Sequence, residues 1–441
     1  MGAEAALRPL PARFHAPLIG DTLAFAKNAG GLLATRARDL GPVFELNLFG
    51  HPTACFVGPE AFALLLDDQN VERAGANPPH VEAIFNKQAV PFLDGAAHRR
   101  RKRLLMHAFR EEALAGYLPL IERVISRYAA RWAQRGTFKW VPEINSLGFT
   151  IAGALFVGSD PDSDDPAVAE AFGAVAAGLA SIPVNLPFTR YGKALKARDY
   201  LLEVVDKALT AAEANPAGTH VLARLKQARE GDQALGRDEL QIELFHFFGA
   251  YSAVIGGLSF VASCLGRFPE IAETARAEVL RVTPGGPLTP AALIQLEYVD
   301  RLVKEVRRAL PILPMTFFGT VKRELSFNGI RIPQGVRALG CIGATLQDSA
   351  LFPEPERFDP DRWLNASDAQ KRAWIPHGGG AHADGHRCAG EALAHLMMKA
   401  FTAILLRGYR WKFVPGQDFS PTKDKLFATP VGGLEVKLER A

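Results

Sequence analysis

Cysteine is scarce in this chain: four in 441 residues, at Cys55, Cys264, Cys341 and Cys388. None belongs to a Cys-x-x-Cys pair, which leaves no dense disulfide framework and fits a reducing compartment. Charge of one sign is also missing. The 51 Lys and Arg face 47 Asp and Glu, and a formal excess of +4 is too small to mark a nucleic-acid partner. No uninterrupted apolar run approaches the length of a membrane span, and the opening "MGAEAALRPLPARFHAPLIG" lacks the apolar core of a signal peptide. A cytoplasmic chain without a membrane anchor is the expectation. No repeat, low-complexity tract or linker is visible, so a single domain over residues 1–441 is expected.

Apolar residues are plentiful. They make up 48% of the chain, with 28 Phe beside 7 Tyr and 5 Trp, enough for a large core. "PVFELNLFGHPTACFVG" alternates apolar and polar residues around a Gly-His-Pro break and reads as a hairpin. From about Pro59 to Gly286 the pattern is mostly helical. Within it, "GRDELQIELFHFFGAYSAVIGGLSFVASCLGRFPE" predicts one long helix, apolar on nearly every face and therefore central. "PAALIQLEYVDRLVKEVRRAL" predicts another, stopped by Pro311, and a last helix should run from Ala389 to Arg407. Short strands are expected in "ELSFNGIRIPQGVRALGCIG" and "GLEVKLER". The fold class is mainly α with small β-sheets.

The stretch "HGGGAHADGHRCAGE", residues His377 to Glu391, crowds glycine, histidine and cysteine together. A phosphate loop would need Lys followed by Ser or Thr, and neither is present. Zinc could take His382, His386 and Cys388, with His377 or Asp384 as a fourth ligand, but all of these sit on one loop. A third reading uses Cys388 alone. It stands just before a helix, whose N-terminal amides favour a thiolate. Glycines such as Gly380 let backbone approach a flat cofactor, and a thiolate so placed suits the axial position of haem iron. An inert buried cysteine is the plainer alternative. Two further features bear on the choice. Glu305 and Arg308 stand one helical turn apart in "EVRR", and "FPEPERFDPDRW" carries Arg357 between prolines some fifty residues later.

Glu-x-x-Arg, then Pro-Glu-Arg-Phe, then a glycine-rich cysteine loop opening a helix resembles the cytochrome P450 family. The likeness runs along essentially the whole chain, from "PARFHAPLIGDTLAF" to "CAGEALA". It implies the triangular-prism fold of that family, with haem b between the central helix and the helix after Cys388. It implies Cys388 as axial ligand to iron, and Glu305, Arg308 and Arg357 as a charge triad bracing that side. His98 and Lys102, four apart in "HRRRKR", match positions that bind haem propionates, with Lys102 in place of the usual Arg. His386, two residues before the cysteine, matches another such position. Arg100 and Arg103 of the same run read as a solvated face.

Two departures stand out. The cysteine loop has His377 at the usual Phe position and four extra residues, a form similar to that of bacterial fatty-acid peroxygenases. In the central helix, the family's acid and threonine, which relay protons to bound dioxygen, fall at Ser252 and Ala253. No Asp, Glu or Thr occurs from His246 to Phe260. The peroxygenases' Arg-Pro pair is absent as well. "IPVNLPFTRYGKALKAR" (Ile182 to Arg198) is similar to the roof segment of retinoid- and sterol-oxidising members.

The resemblance therefore implies a haem-thiolate oxidoreductase inserting oxygen into a hydrophobic small molecule such as a terpenoid, sterol or fatty acid. A ferredoxin-type redox partner would be needed if dioxygen is the oxidant. The alternatives are a peroxide-dependent peroxygenase or a lipid-hydroperoxide rearranging enzyme, and, from another class, a haem sensor without turnover. Expected pocket residues are Ile84, Phe85, Val90 and Phe92, then Val184 and Leu186 in the roof. Phe248, Ser252 and Ala253 follow over the iron, then Leu313, Met315 and Phe427.

Overall fold

The computed structural model describes residues 7–13, 20–179, 181–214 and 218–441. Part of the proline-bearing entry segment, residues 14–19, lies outside them. By contact density the chain forms two compact units. The first comprises Met1–Lys102, Leu313–Arg357 and Ala366–Cys388; the second comprises Arg103–Ile312, Phe358–Asn365 and Ala389–Ala441.

The first unit is built on a sheet. Val43–Leu48 and His51–Phe56 form the expected antiparallel hairpin, turning through Phe49 and Gly50, both at positive φ. His51–Phe56 then pairs in parallel with Arg337–Gly340, placing Cys55 opposite Leu339. Gly319–Val321 and Val71–Glu72 complete five strands. The helix Thr22–Leu40 lays Phe25 and Leu33 onto this sheet, and they close a core with Phe44, Leu46, Cys55, Leu339 and Cys341. Burying such apolar side chains contributes about 1.5–3 kcal/mol each. The separate hairpin Leu325–Phe327 with Ile330–Ile332 fits the strand reading of that stretch.

The second unit is helical and centred on Arg237–Arg267, the long apolar helix. Its small residues allow close approach by neighbours. A Cβ on Gly256 would lie 2.7 Å from the Ala428 carbonyl oxygen, and one on Gly257 would lie 3.0 Å from Met398 Sδ. Phe248 stacks on Phe172 at 5.2 Å, and Phe172 stacks on Phe149 at the same distance, tying three helices together. By length and composition, Trp140–Val157 and Arg237–Arg267 could each cross a membrane, but most of each helix is buried inside this unit. Both serve as core helices. Thr137–Lys139, Glu435–Arg440 and Tyr409–Phe413 make a three-stranded sheet at the unit's edge.

One helix differs from expectation. "PAALIQLEYVDRLVKEVRRA" divides at Leu296 into Pro290–Gln295 and Glu297–Ala309. The reason lies on another helix. The Glu278 carboxylate accepts the amides of Tyr298 at 2.8 Å and Val299 at 2.9 Å, capping a new N-terminus where the pattern alone shows continuous helix.

Candidate functional site

In the first unit, the loop before Cys388 is folded by its own backbone. Gly378 N–H donates to Ile375 O at 3.0 Å, Gly385 N–H to Ala381 O at 3.0 Å, and Cys388 N–H to His377 O at 3.1 Å. Gly380 has φ +85°, a left-handed conformation that favours glycine, and a Cβ on Gly379 would lie 2.8 Å from Leu66 Cδ1. Cys388 is exposed, whereas Cys55, Cys264 and Cys341 are buried. Burial pushes the Cys264 thiol up to about 12 and raises that of Cys55. Of the four, Cys388 alone is both accessible and held at a glycine-rich turn, three residues before the helix Glu391–Gly408. Among the described residues no group of three or more His, Cys, Asp and Glu side chains is arranged to hold a metal ion. His382, His386 and Cys388 therefore form no zinc cluster.

Beside this loop lies a buried basic cluster. His98, Lys102 and Arg73 are almost fully buried. The His98 ring stacks on His386 with centroids 3.9 Å apart. Lys102 Nζ donates to the carbonyl oxygens of Gly385, at 3.2 Å, and of Arg387, tethering the cysteine loop. Arg73 donates through its guanidinium to Val71 O and Leu65 O, and its backbone amide meets the Asp94 carboxylate. Burial, reinforced by the charge of Lys102, lowers His98 to about 4. Burial, then Arg73, His98 and Lys102, lowers His386 to about 2. Both rings are neutral at neutral pH. His98 Nδ1 and His386 Nε2 are buried without a hydrogen-bond partner, an arrangement costly unless a polar ligand completes it.

A thiol loop flanked by buried cations and by imidazole nitrogens that make no hydrogen bond, with Asp68 and Asp94 3.7 and 3.9 Å from His386 Nε2, fits a flat metal cofactor carrying carboxylates. Haem has that chemistry, and its propionates would meet His98, His386, Lys102 and Arg73. Arg73 escaped the sequence reading because a lone arginine in "VERAGANPPH" carries no motif. His98→Ala and Lys102→Ala are expected to speed haem loss on the order of tenfold, as removal of groups supporting a metal site does. The thiolate spectrum should persist. Transfer of haem to an apo-globin scavenger measures this, and unchanged rates in both variants would leave the cluster a packing feature only.

In the second unit, Glu305 and Arg308 are fully buried and joined twice, Nε to Oε2 at 2.9 Å and Nη2 to Oε1 at 2.7 Å. The carboxylate also accepts the Asp359 amide at 3.1 Å and Trp363 Nε1 at 3.0 Å. The second arginine at Glu305 is Arg362, with Nε 3.5 Å from Oε1. This corrects the triad. Arg357 belongs to the first unit, where its side chain is 63% exposed and stands 3.6 Å from Glu354. The physical reason is the fold of "RFDPDRW". A 3-10 turn at Pro360–Trp363, capped by Asp359, lies beside the Glu305 helix and carries Arg362 and Trp363.

The central helix is buried along most of its length, but Ala250, Ser252 and Ala253 are only half-buried. Phe85, Phe92 and Phe317 pack edge-on in the first unit, Phe92 to Phe317 at 5.1 Å, so Phe317 joins the expected aromatic set. Leu313, Met315 and Phe427 are half-buried. Phe248 is engaged in helix packing through Phe172 and Phe156. Val184 and Leu186 depart from the pocket reading. Both are 45% exposed on a surface loop.

The chain is similar to known proteins along most of its length. The family model described as Cytochrome P450 matches residues 9–438. The "Putative cytochrome P450 120" of Synechocystis is 29% identical over 414 residues, covering 92% of each chain. "Cytochrome P450 26A1" of Gallus gallus is 28% identical, over 97% of this chain and 89% of that one. "Abscisic acid 8'-hydroxylase 1" of Oryza sativa subsp. japonica is 27% identical, over 96% and 89%. The solved structure "Retinoic acid bound cyanobacterial CYP120A1" superposes with a TM-score of 0.90 at 28% identity, covering 99% of this chain and all of that one.

Proposed function

The chain belongs to the cytochrome P450 family, and from that premise we propose that it oxidises a terpenoid, sterol or fatty acid, with a peroxide serving as oxidant. Membership of the family makes it a haem-thiolate oxidoreductase acting on hydrophobic small molecules. We read the 441 residues as one catalytic domain working in the cytoplasm. The substrate class is supported by relatives whose names specify retinoic acid and abscisic acid.

The observation that carries the choice of oxidant is the pair Ser252 and Ala253. Haem, when bound through Cys388, supplies the iron that activates oxygen for insertion into a C–H bond. The remaining chemistry is proton handling and positioning by this chain. Dioxygen needs two electrons and two protons before its O–O bond breaks. A helix whose half-buried face offers Ala250, Ser252 and Ala253 holds no carboxylate there to deliver the protons. A peroxide arrives with the electrons already in place and needs only a proton moved, for which water or a substrate group suffices. The cysteine loop's form, similar to that of peroxide users, supports the same choice.

The test compares product formed with hydrogen peroxide or a lipid hydroperoxide against NAD(P)H and surrogate ferredoxin partners, using a substrate found by spectral-shift screening. Peroxide is expected to support turnover at least as well as the reductase system. Tightly coupled NAD(P)H turnover with little peroxide activity would overturn the oxidant assignment. A dioxygen-dependent monooxygenase fed by a ferredoxin-type partner would then stand in its place.

A further inference from the structure

A polar cleft of about 280 Å³ opens in the second unit, where the chain turns into the helix Glu111–Arg135 beside the short helix Val221–Gln227. Apolar packing fixes both walls. Ala108 and Phe109 of the 3-10 turn His107–Phe109 are buried, with Phe109 edge-on to Phe247 at 5.4 Å. Val221, Leu222 and Leu225 anchor the short helix. Arg224 and Gln227, three apart on that helix, line the cleft together with His107, Arg110 and Glu112.

The two guanidinium groups are positioned without acids. Arg110 Nη2 donates to His107 Nε2 at 3.1 Å. Arg224 Nε donates to the Thr219 carbonyl oxygen at 3.0 Å, and its guanidinium carbon lies 5.4 Å from the Tyr117 ring centre. Tyr117 is itself fixed by donating to Ala108 O at 3.0 Å. Glu230, the acid beside His107, meets Arg103 Nε at 3.4 Å and His107 Nε2 at 3.5 Å. Among the described residues no carboxylate stands within 4.0 Å of a nitrogen of Arg110 or Arg224, although Glu112 lines the same cleft. Elsewhere on this unit's surface the opposite holds: Arg237 reaches both Asp206 and Glu213 at 2.6 Å. A guanidinium held by an imidazole, a carbonyl or a ring keeps its remaining N–H donors for an oxyanion, which accepts them in parallel.

We propose that this cleft binds a small phosphorylated polyol, with its phosphate between Arg110 and Arg224 and its hydroxyls on Glu112 and Gln227. Two guanidinium forks on one cleft suit the several oxygens of a phosphate. Glu112 disfavours a bare anion but accepts from hydroxyl groups, as does the Gln227 amide oxygen, so the acid selects for the polyol. The cleft is polar and at the small end of ligand sites, which does not suit the hydrophobic substrates of this family. None of its lining residues belongs to the cysteine loop, the basic cluster or the expected substrate pocket. Failure of the oxidant reading would leave the proposal standing, and its own failure would leave that reading intact.

The experiment is calorimetric titration of the holoprotein with glycerol 3-phosphate, inorganic phosphate and glycerol, all at one ionic strength so that general screening is constant. Glycerol 3-phosphate is expected to saturate at one per chain and to bind more tightly than inorganic phosphate, and glycerol alone should give no saturable heat. Arg110→Gln and Arg224→Gln should each weaken glycerol 3-phosphate roughly tenfold, the loss of one charge-assisted contact. Glu112→Gln should tighten inorganic phosphate and shrink the preference for the ester. Arg110 is exposed, so its variant keeps the test open if Arg224→Gln disturbs folding; wild-type Soret and circular dichroism spectra identify the folded variants. Absence of saturable glycerol 3-phosphate binding at millimolar concentration would overturn the proposal, as would an affinity unchanged in the folded arginine variants. Equal binding of inorganic phosphate and glycerol 3-phosphate would reduce the cleft to a simple anion site and equally sink it.

Discussion

Replacing Cys388 with histidine is expected to abolish the red-shifted Soret band of the reduced carbon-monoxide complex, and catalytic oxidation with it. The argument rests on which side chains can present a thiolate. Cys264 and Cys55 are buried, and burial holds their thiols neutral; Cys341 is buried in the sheet core of the first unit. Cys388 is exposed, and its amide is anchored to His377 O by a loop that uses left-handed glycines at 378 and 380. An imidazole placed there would still reach a metal, but a neutral nitrogen cannot donate charge as sulfur does, and that donation produces the shifted band and favours O–O cleavage. Haem content should fall less than the spectrum changes, because the basic cluster of His98, Lys102, His386 and Arg73 remains. A pyridine haemochrome assay beside the carbon-monoxide difference spectrum separates the two. An unshifted band already present in the wild type, or a shifted band surviving in Cys388→His, would place the ligand elsewhere.

The parts of the site legible in sequence were those fixed by local spacing. Cys388 before a helix, Glu305 and Arg308 one turn apart, and His98 four residues from Lys102 are relations within one element, and the structure keeps each of them. What sequence concealed depends on which distant segment packs against which. The Pro-Glu-Arg-Phe stretch points to Arg357, whereas the arginine beside Glu305 is Arg362, five residues further on. The choice was made by the 3-10 turn that carries Trp363 onto the same carboxylate. Arg73 reaches the basic cluster through strand pairing between Val71–Glu72 and Gly319–Val321, which no local pattern announces. The fold showed the same division. Helices of strong apolar pattern and the "LNLFGHPTACF" hairpin were legible, while the break at Leu296 was hidden because its cap, Glu278, belongs to another helix. Val184 and Leu186 read as pocket lining because they are apolar, yet the Thr189 hydroxyl, bonded to both their carbonyl oxygens, turns them outward.

Glu305→Ala should lower holoprotein stability by about 3–5 kcal/mol, the cost of breaking a buried ion pair from one side. Arg308 is fully buried and donates to Glu305 through both Nε and Nη2. Removing the carboxylate leaves that guanidinium charged, since arginine does not deprotonate in proteins. The variant also strands the Asp359 amide and Trp363 Nε1, each a donor that loses its acceptor. Glu305→Gln tests the division between charge and hydrogen bonding. The amide oxygen still accepts from Trp363 or Asp359, while the charge facing Arg308 and Arg362 is gone, so an intermediate loss is expected. Arg362→Ala should cost about 1–3 kcal/mol, because its partner keeps Arg308 and two neutral donors. Arg357→Ala should stay within about 0.5 kcal/mol, as exposed pairs usually do. Guanidinium unfolding followed by the Soret band and by circular dichroism gives all four values. An Arg357→Ala loss as large as that of Arg362→Ala would restore the residue chosen from sequence. A Glu305→Ala loss below about 1 kcal/mol would reduce the network to the level of a surface bridge. The expected order, Glu305→Ala above Glu305→Gln and Arg362→Ala above Arg357→Ala, follows from burial and from the number of donors each change leaves without an acceptor.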